Sequence, residues 1–274
     1  MVKLVVCDID GTLIEADEIL DKKAPELVRL LETEGIGFSL ASGRSDYLVR
    51  DYAEQLNLSI PYITCNGAAL VHKGRRLREK LMPAAPLKEI TELADSMGFS
   101  IVYSQQGGEW VWRETPWILK MRRCYNRYHQ VHRFTPEQWE NELLDKILIY
   151  DDSEQGGIDI IEEGCKKLFP QFTATRYMDC SVEIVNGGAS KALGVIDLAA
   201  MLGISTDAIL AVGDHQNDIE MIRAVGQGAA VGNATSALKA AASYICRADY
   251  FAGVFEAVNH FCFTEKNKGD AAVL

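Results

Sequence analysis

Residues 4–7 read Leu-Val-Val-Cys, an unbroken apolar run with no polar alternation, and the chain then meets Asp8 at once. A run of that kind suits a strand covered on both faces, which is the situation of a strand inside a parallel sheet. It is too short for a signal peptide and lacks a cleavage site, so it is expected to be a buried strand. Residues 25–34 carry Leu27, Val28, Leu30 and Leu31 at helical spacing, with Pro25 in the first turn and Gly35 at the end. The spacing next predicts a strand over 36–41, a helix over 45–57 and a strand over 60–65. Strand–helix–strand alternation implies right-handed parallel crossovers, and therefore a doubly wound α/β fold with a Rossmann-like parallel sheet. The rhythm returns late, with a helix over 189–203, a strand over 208–212, a helix over 218–225 and short strands over 228–231 and 244–246. Residues 265–274 are small and polar and are expected to fray.

Between these halves the pattern changes. Pro83 and Pro86 mark a junction. A helix over 87–97 follows, then strands over 99–104 and 109–113 separated by Gly107-Gly108, two aromatic-rich helical stretches, and strands over 146–150, 173–177 and 181–185. All four tryptophans (Trp110, Trp112, Trp117, Trp139) fall here. This organisation predicts an inserted α+β domain over 84–186, of common domain size. Residues 1–83 and 187–274 would then form one discontinuous domain. No internal repeat is visible.

The chain of 274 residues is 48% hydrophobic and 24% charged, the composition of a globular protein. No apolar run reaches the roughly 18 residues of a membrane span. The seven cysteines are scattered, with no pair at C-x-x-C spacing. Neither a zinc site nor a disulfide framework is indicated, and reduced thiols in a cytoplasmic protein are expected. The formal net charge of −11 argues against nucleic acid or an anionic membrane as partner. It also means that any site for an anionic substrate must bring its own cations.

Asp8 and Asp10 follow the first strand, and Gly11 turns the chain away. Side chains two apart on a strand point the same way, so both carboxylates are expected to face one spot. That spot lies beyond the carboxyl end of a parallel strand, where open α/β sheets place their ligands. A surface turn closed by Asp-Gly would account for the same residues. A second acidic segment favours a site: the strand over 208–212 runs into Gly213-Asp214-His215-Gln216-Asn217-Asp218. Asp8, Asp10 and Asp214 together offer hard oxygen ligands of the kind Mg²⁺ takes. Asn217 or Asp218 would also cap the following helix. Ser42-Gly43-Arg44 stands at another strand end, with a hydroxyl and backbone amides suited to phosphate. Lys191 opens a helix after Gly187-Gly188-Ala189-Ser190, where the helix dipole favours an anion.

These elements, in this order, resemble the haloacid dehalogenase superfamily of phosphohydrolases. The resemblance runs from Asp8-Ile9-Asp10-Gly11-Thr12 through Ser42-Gly43-Arg44 and Lys191 to the 213–218 segment. The long insertion, with Asn66-Gly67-Ala68 before it and Val231-Gly232-Asn233-Ala234 late in the chain, is similar to the Cof-type sugar-phosphatase branch. The resemblance implies that Asp8 is the nucleophile and Asp10 the acid and base. It implies phosphate contacts from Ser42, Gly43, Lys191 and Asn217, and contacts to the substrate body from Arg44 and Asn66. Mg²⁺ would be held by Asp8, the backbone carbonyl of Asp10, and Asp214, with Asp218 nearby. His215 departs from the small or polar residue common at its position; it reads first as an exposed loop histidine, and second as a residue that shapes the metal loop or meets the substrate.

Residues 119–133 carry Lys120, Arg122, Arg123, Arg127 and Arg133 with no acid, interleaved with Tyr125, Tyr128, His129 and His132. A solvated helix face is the first reading; a basic surface facing an anionic substrate is the second, and a nucleic-acid surface the third. The expected function is Mg²⁺-dependent hydrolysis of small phosphate monoesters, sugar phosphates among them. A phosphosugar mutase and a receiver-like phosphoacceptor module are the alternatives. The motifs name neither the substrate nor an oligomeric state.

Overall fold

The computed structural model describes residues 1–153, 156–168, 171–177 and 179–263. The expected fraying of residues 265–274 falls outside the described residues. Contacts divide the chain into two compact units, one of residues 1–44, 48–78 and 190–274, the other of residues 45–47 and 79–189.

The first unit is built on a five-stranded parallel sheet in the order Tyr244–Ile245, Gln227–Ala230, Ile209–Gly213, Leu4–Cys7, Gly37–Leu40. Leu4–Cys7 lies between Ile209–Gly213 and Gly37–Leu40, pairing Leu4 with Ile209 and Gly37, and Cys7 with Val212 and Leu40. All four of its residues are fully buried, as the unbroken apolar run demands. Truncating Leu4 to Ala would cost about 2–5 kcal/mol, the usual range for a buried leucine. The helix Ala24–Thr33 buries Ala24, Leu27, Val28 and Leu31, one stripe at helical spacing. Asp46–Gln55, Lys191–Leu202 and Ile219–Arg223 form close to their expected places. The doubly wound α/β core is therefore what these residues build.

The third expected strand departs from that pattern. Tyr62–Thr64 joins the parallel sheet through an isolated Ala41–Ile63 bridge, and pairs antiparallel with Ala69–His72. With Arg75–Glu79 it makes a separate three-stranded sheet. The cause is local: Cys65, Asn66 and Gly67 all have positive φ and turn the chain back on itself. Asn-Gly is a hairpin signal in its own right. The helices Ser236–Ala241 and Tyr250–Phe261 complete the described part of this unit and had no counterpart in the sequence reading.

The second unit has an antiparallel five-stranded sheet in the order Phe172–Tyr177, Ser181–Asn186, Lys146–Tyr150, Ser100–Gln105, Gly108–Val111. The helices Lys88–Ser96 and Ile158–Lys166 pack on it, the latter not expected from sequence. Pro116–Tyr125 and Pro136–Asn141 are each started by a threonine cap and a first-turn proline. The basic stretch forms only that first helix, then an irregular segment joined to Val111 at Val131. Arg122 pairs with Glu114 and Arg133 with Asp95, so acids beyond the stretch neutralise part of it.

Candidate active site

The strand order puts a reversal of direction at Leu4–Cys7. The chain winds one way to Gly37–Leu40, then returns on the other side as Ile209–Gly213. Clefts in open α/β sheets form at such switch points, beyond the carboxyl ends of the strands. Asp8 follows one central strand and Asp214 follows its neighbour. Gly11 keeps them close, at φ +77°, and a Cβ there would collide with the Asp214 carboxylate.

Asp8, Asp214 and Asp218 each present a carboxylate oxygen, all within 4.8 Å of one another. The ammonium of Lys191, first residue of its helix, donates to Asp8 Oδ1 at 2.5 Å and to Asp218 Oδ1 at 2.7 Å. Lys191 is 2% exposed, Asp8 4% and Asp218 fully buried. Burial disfavours the Lys191 ammonium, but Asp218 and Asp8 outweigh it and hold the lysine protonated. Burial, then the charge of Asp218, pushes the Asp8 carboxyl well above the usual carboxylate range. Burial and Asp218 likewise raise Asp214. Three carboxylates around one ammonium leave two formal negative charges in a buried place. The donor set is all oxygen and carboxylate-rich, which fits a hard divalent cation. The second oxygen of Asp218 accepts the backbone N–H groups of Asp214 and His215, both at 3.1 Å, and so shapes the loop.

A second group of side chains gathers beside the cluster. Ser42 is fully buried, and its Oγ accepts the Arg44 N–H at 3.1 Å. The backbone N–H of Asn66 donates to the Ser42 carbonyl, and that of Cys65 to the Arg44 carbonyl. Asn217 donates from Nδ2 to Asn66 Oδ1 at 3.1 Å. Gly43 runs so near Asn66 that a Cβ would lie 3.2 Å from its Nδ2. Gly67 has φ +90°, and a Cβ there would collide with the carbonyl of Ser190, the cap of the Lys191 helix. The turn at 65–67 therefore ties the Ser42 loop, the Asn217 loop and the start of the Lys191 helix together.

Two expectations change. Asp10 was to face the same spot as Asp8, but the strand ends at Cys7. Past that point the alternation rule no longer applies. The Asp10 side chain is 53% exposed, and both its carboxylate oxygens accept hydrogen bonds from Arg44. Its carboxylate is no member of the Asp8–Asp214–Asp218 group. Arg44, expected to reach a substrate, is itself 8% exposed and engaged by Asp10 and Glu18. His215 is half-buried, with its backbone N–H held by Asp218.

Two residues had motif positions but no assigned work. The Thr12 hydroxyl lies 2.9 Å from Asp214 Oδ1 and 3.2 Å from Asp8 Oδ2, bridging the two acids. Asn233 donates to the Gly11 carbonyl at 2.7 Å and accepts the Tyr250 N–H at 3.0 Å, fixing the turn behind Asp8. A small hydroxyl residue after Asp-Gly was the only signal for Thr12. Asn233 lies too far along the chain for any local pattern to join it to Gly11.

The family profile for haloacid dehalogenase-like hydrolases matches residues 5–258, and the chain belongs to that family. It is similar to the 5-amino-6-(5-phospho-D-ribitylamino)uracil phosphatase YcsE of Bacillus subtilis (strain 168), with 27% identity over 95% of this chain and 96% of that one. It is also similar to the HMP-PP phosphatase of Klebsiella pneumoniae (strain 342), with 28% identity over 95% and 94% of the two chains. The crystal structure of a haloacid dehalogenase-like hydrolase from Bacteroides thetaiotaomicron superposes with a TM-score of 0.82 and 26% identity, covering 95% of this chain and 99% of that chain.

Proposed function

We propose that this protein is a Mg²⁺-dependent phosphatase of small phosphate monoesters, sugar phosphates among them, acting through an aspartyl-phosphate on Asp8. The observation that carries the reading is Asp8 itself, buried at a strand end between a lysine and two further acids. A carboxylate so placed can attack phosphorus while fixed cations neutralise the phosphoryl oxygens.

In the first step a carboxylate oxygen of Asp8 bonds to phosphorus and the ester P–O bond breaks. Asp10 gives a proton to the departing oxygen. In the second step water attacks the aspartyl-phosphate, Asp10 takes the proton of that water, and the bond to Asp8 breaks to release phosphate. Splitting the hydrolysis lets one carboxyl serve as acid and then as base. Lys191, Ser42, Gly43 and Asn217 would bind the phosphoryl oxygens, with Asn66 turned toward the substrate. Asp8, the carbonyl of Asp10, and Asp214 would hold Mg²⁺, with Asp218 positioning Lys191 and the Asp214 loop. Bound there, Mg²⁺ supplies charge neutralisation to the transferring group. The residues present suit it, since three carboxylates offer oxygen donors within 4.8 Å of one another and a divalent ion would offset the burial that raises the Asp8 and Asp214 carboxyls.

Residues 84–186 are assigned to substrate selection, as a domain inserted into a discontinuous core of 1–83 and 187–274. A cytoplasmic location suits seven free cysteines. The names of the two phosphatase relatives support a phosphorylated metabolite as substrate. The test is phosphate release from a panel of phosphorylated metabolites with Mg²⁺ and with EDTA. Mg²⁺-dependent release without a bisphosphate activator is expected. A requirement for that activator would indicate a mutase, and a stable phospho-Asp8 without turnover a phosphoacceptor module.

A further inference from the structure

Arg44 is a buried cation with several partners, and neither step of the reaction uses it. Its Nε donates to Asp10 Oδ2 at 2.8 Å, and its Nη2 donates to Asp10 Oδ1 and, at 3.1 Å, to Glu18 Oε1. The guanidinium lies over the ring of Tyr52, 5.4 Å from its centroid. The Tyr52 hydroxyl in turn donates to the backbone carbonyl of Glu18 at 2.9 Å. Tyr52 is 7% exposed and sits on the helix Asp46–Gln55. The segment from Asp10 to Glu18 is a short loop closed by bridges at Asp10–Ile14 and Ile14–Leu20. Arg44 thus grips both ends of that loop and anchors them to a helix of the same unit.

We propose that Arg44 is a positioning residue for Asp10, its fork fixing the carboxylate apart from the Asp8–Asp214–Asp218 group and in the attitude needed to meet the leaving oxygen. This inference rests on the phosphatase reading. A half-exposed aspartate would otherwise rotate freely, and the negative charge of the Asp8–Asp214–Asp218 group would let it swing away into solvent. A planar bidentate pair removes both freedoms, because the guanidinium is rigid and is itself fixed by Glu18 and Tyr52. Proton transfer needs heavy-atom separations within about 2.6–3.2 Å, so a loose carboxylate delivers protons poorly.

The experiment compares kcat/KM for an aryl phosphate, whose leaving group needs little protonation, with that for an alkyl phosphate, whose leaving group needs a proton. Arg44→Gln is expected to lower the alkyl value about tenfold or more and the aryl value less than about twofold. Adding Asp10→Asn to Arg44→Gln should cost no more than Asp10→Asn alone. Arg44→Lys keeps the charge but not the fork, and is expected to restore little. Equal losses on both esters, a rise in KM alone, additive losses in the double variant, or full rescue by lysine would each overturn the proposal. Should Arg44→Gln fail to fold by circular dichroism, Glu18→Gln, which loosens one end of the brace, carries the same test with a smaller loss of the same leaving-group dependence; an unchanged ratio there overturns it. Full turnover by Asp8→Asn would instead defeat the underlying mechanism, whatever the Arg44 variants do.

Discussion

Replacing Lys191 with methionine removes the one ammonium from a buried group of three carboxylates while keeping most of the side-chain volume. In the folded protein Lys191 makes two charge-assisted hydrogen bonds, at 2.5 and 2.7 Å, with almost no solvent near it. Breaking a buried pair by removing one partner costs about 3–5 kcal/mol, because the remaining charge is left uncompensated. Two carboxylates lose their partner here, which pushes the cost up. The Asp8 carboxyl is already held well above the usual range by burial, so it can take up a proton and limit the loss. The lower half of that range is therefore expected, and at about 2–4 °C per kcal/mol the melting temperature should fall by about 6–16 °C. Urea unfolding in EDTA measures the free-energy loss and a thermal scan the melting temperature, both followed by far-UV circular dichroism; tryptophan fluorescence would not serve, since all four tryptophans belong to the second unit. Asp218→Asn added to Lys191→Met should recover part of the loss, because it removes one of the stranded charges. A destabilisation below about 1 kcal/mol, the scale of an exposed pair, would refute the claim that these acids depend on Lys191.

Thr12→Val removes a hydroxyl that bridges Asp8 and Asp214, and should lower kcat/KM about tenfold, the value of one hydrogen bond to a charged group; an unchanged rate would show that the bridge is dispensable. Gly11→Ala forces an L side chain into φ +77° and into the Asp214 carboxylate, and should destabilise the fold by more than about 1 kcal/mol in the same unfolding assay. Glu256 is held below its ordinary value of 4.5, burial being outweighed by hydrogen bonds from the Ala248 N–H, the Tyr244 hydroxyl and the Arg247 N–H. A depressed carboxylate stabilises fully above its unfolded value and loses that contribution as pH falls through its folded one. Glu256→Gln should therefore flatten the acid limb of the stability curve below pH 4.5, and an unaltered limb would contradict it.

The core was legible where one physical cause dominated. Leu4–Cys7 and Ile209–Gly213 are unbroken apolar runs because both faces are covered, and each is followed directly by an acid at the strand end. Lys191 and Asp218 could be placed near helix starts for the same reason, and the structure brings both to Asp8. The direction of the Asp10 side chain was not legible, because the alternation rule for strands stops at Cys7, where the chain enters a turn. The partners of Arg44 were not legible, because a sequence shows a cation but not what it pairs with, and Glu18 lies 26 residues away. The Tyr62–Thr64 hairpin departs from the expected parallel strand because Asn66-Gly67, a turn signal, reverses the chain directly after it. Asn233 reaches Gly11 across 222 residues, a contact that only the closed sheet creates.

The central claim is that Asp8 attacks phosphorus, and the turnover of Asp8→Asn tests it most directly. Phosphate release from an aryl phosphate in Mg²⁺ should vanish in that variant while its circular dichroism spectrum matches the parent. Hydrolysis at the parent rate by Asp8→Asn would contradict the account.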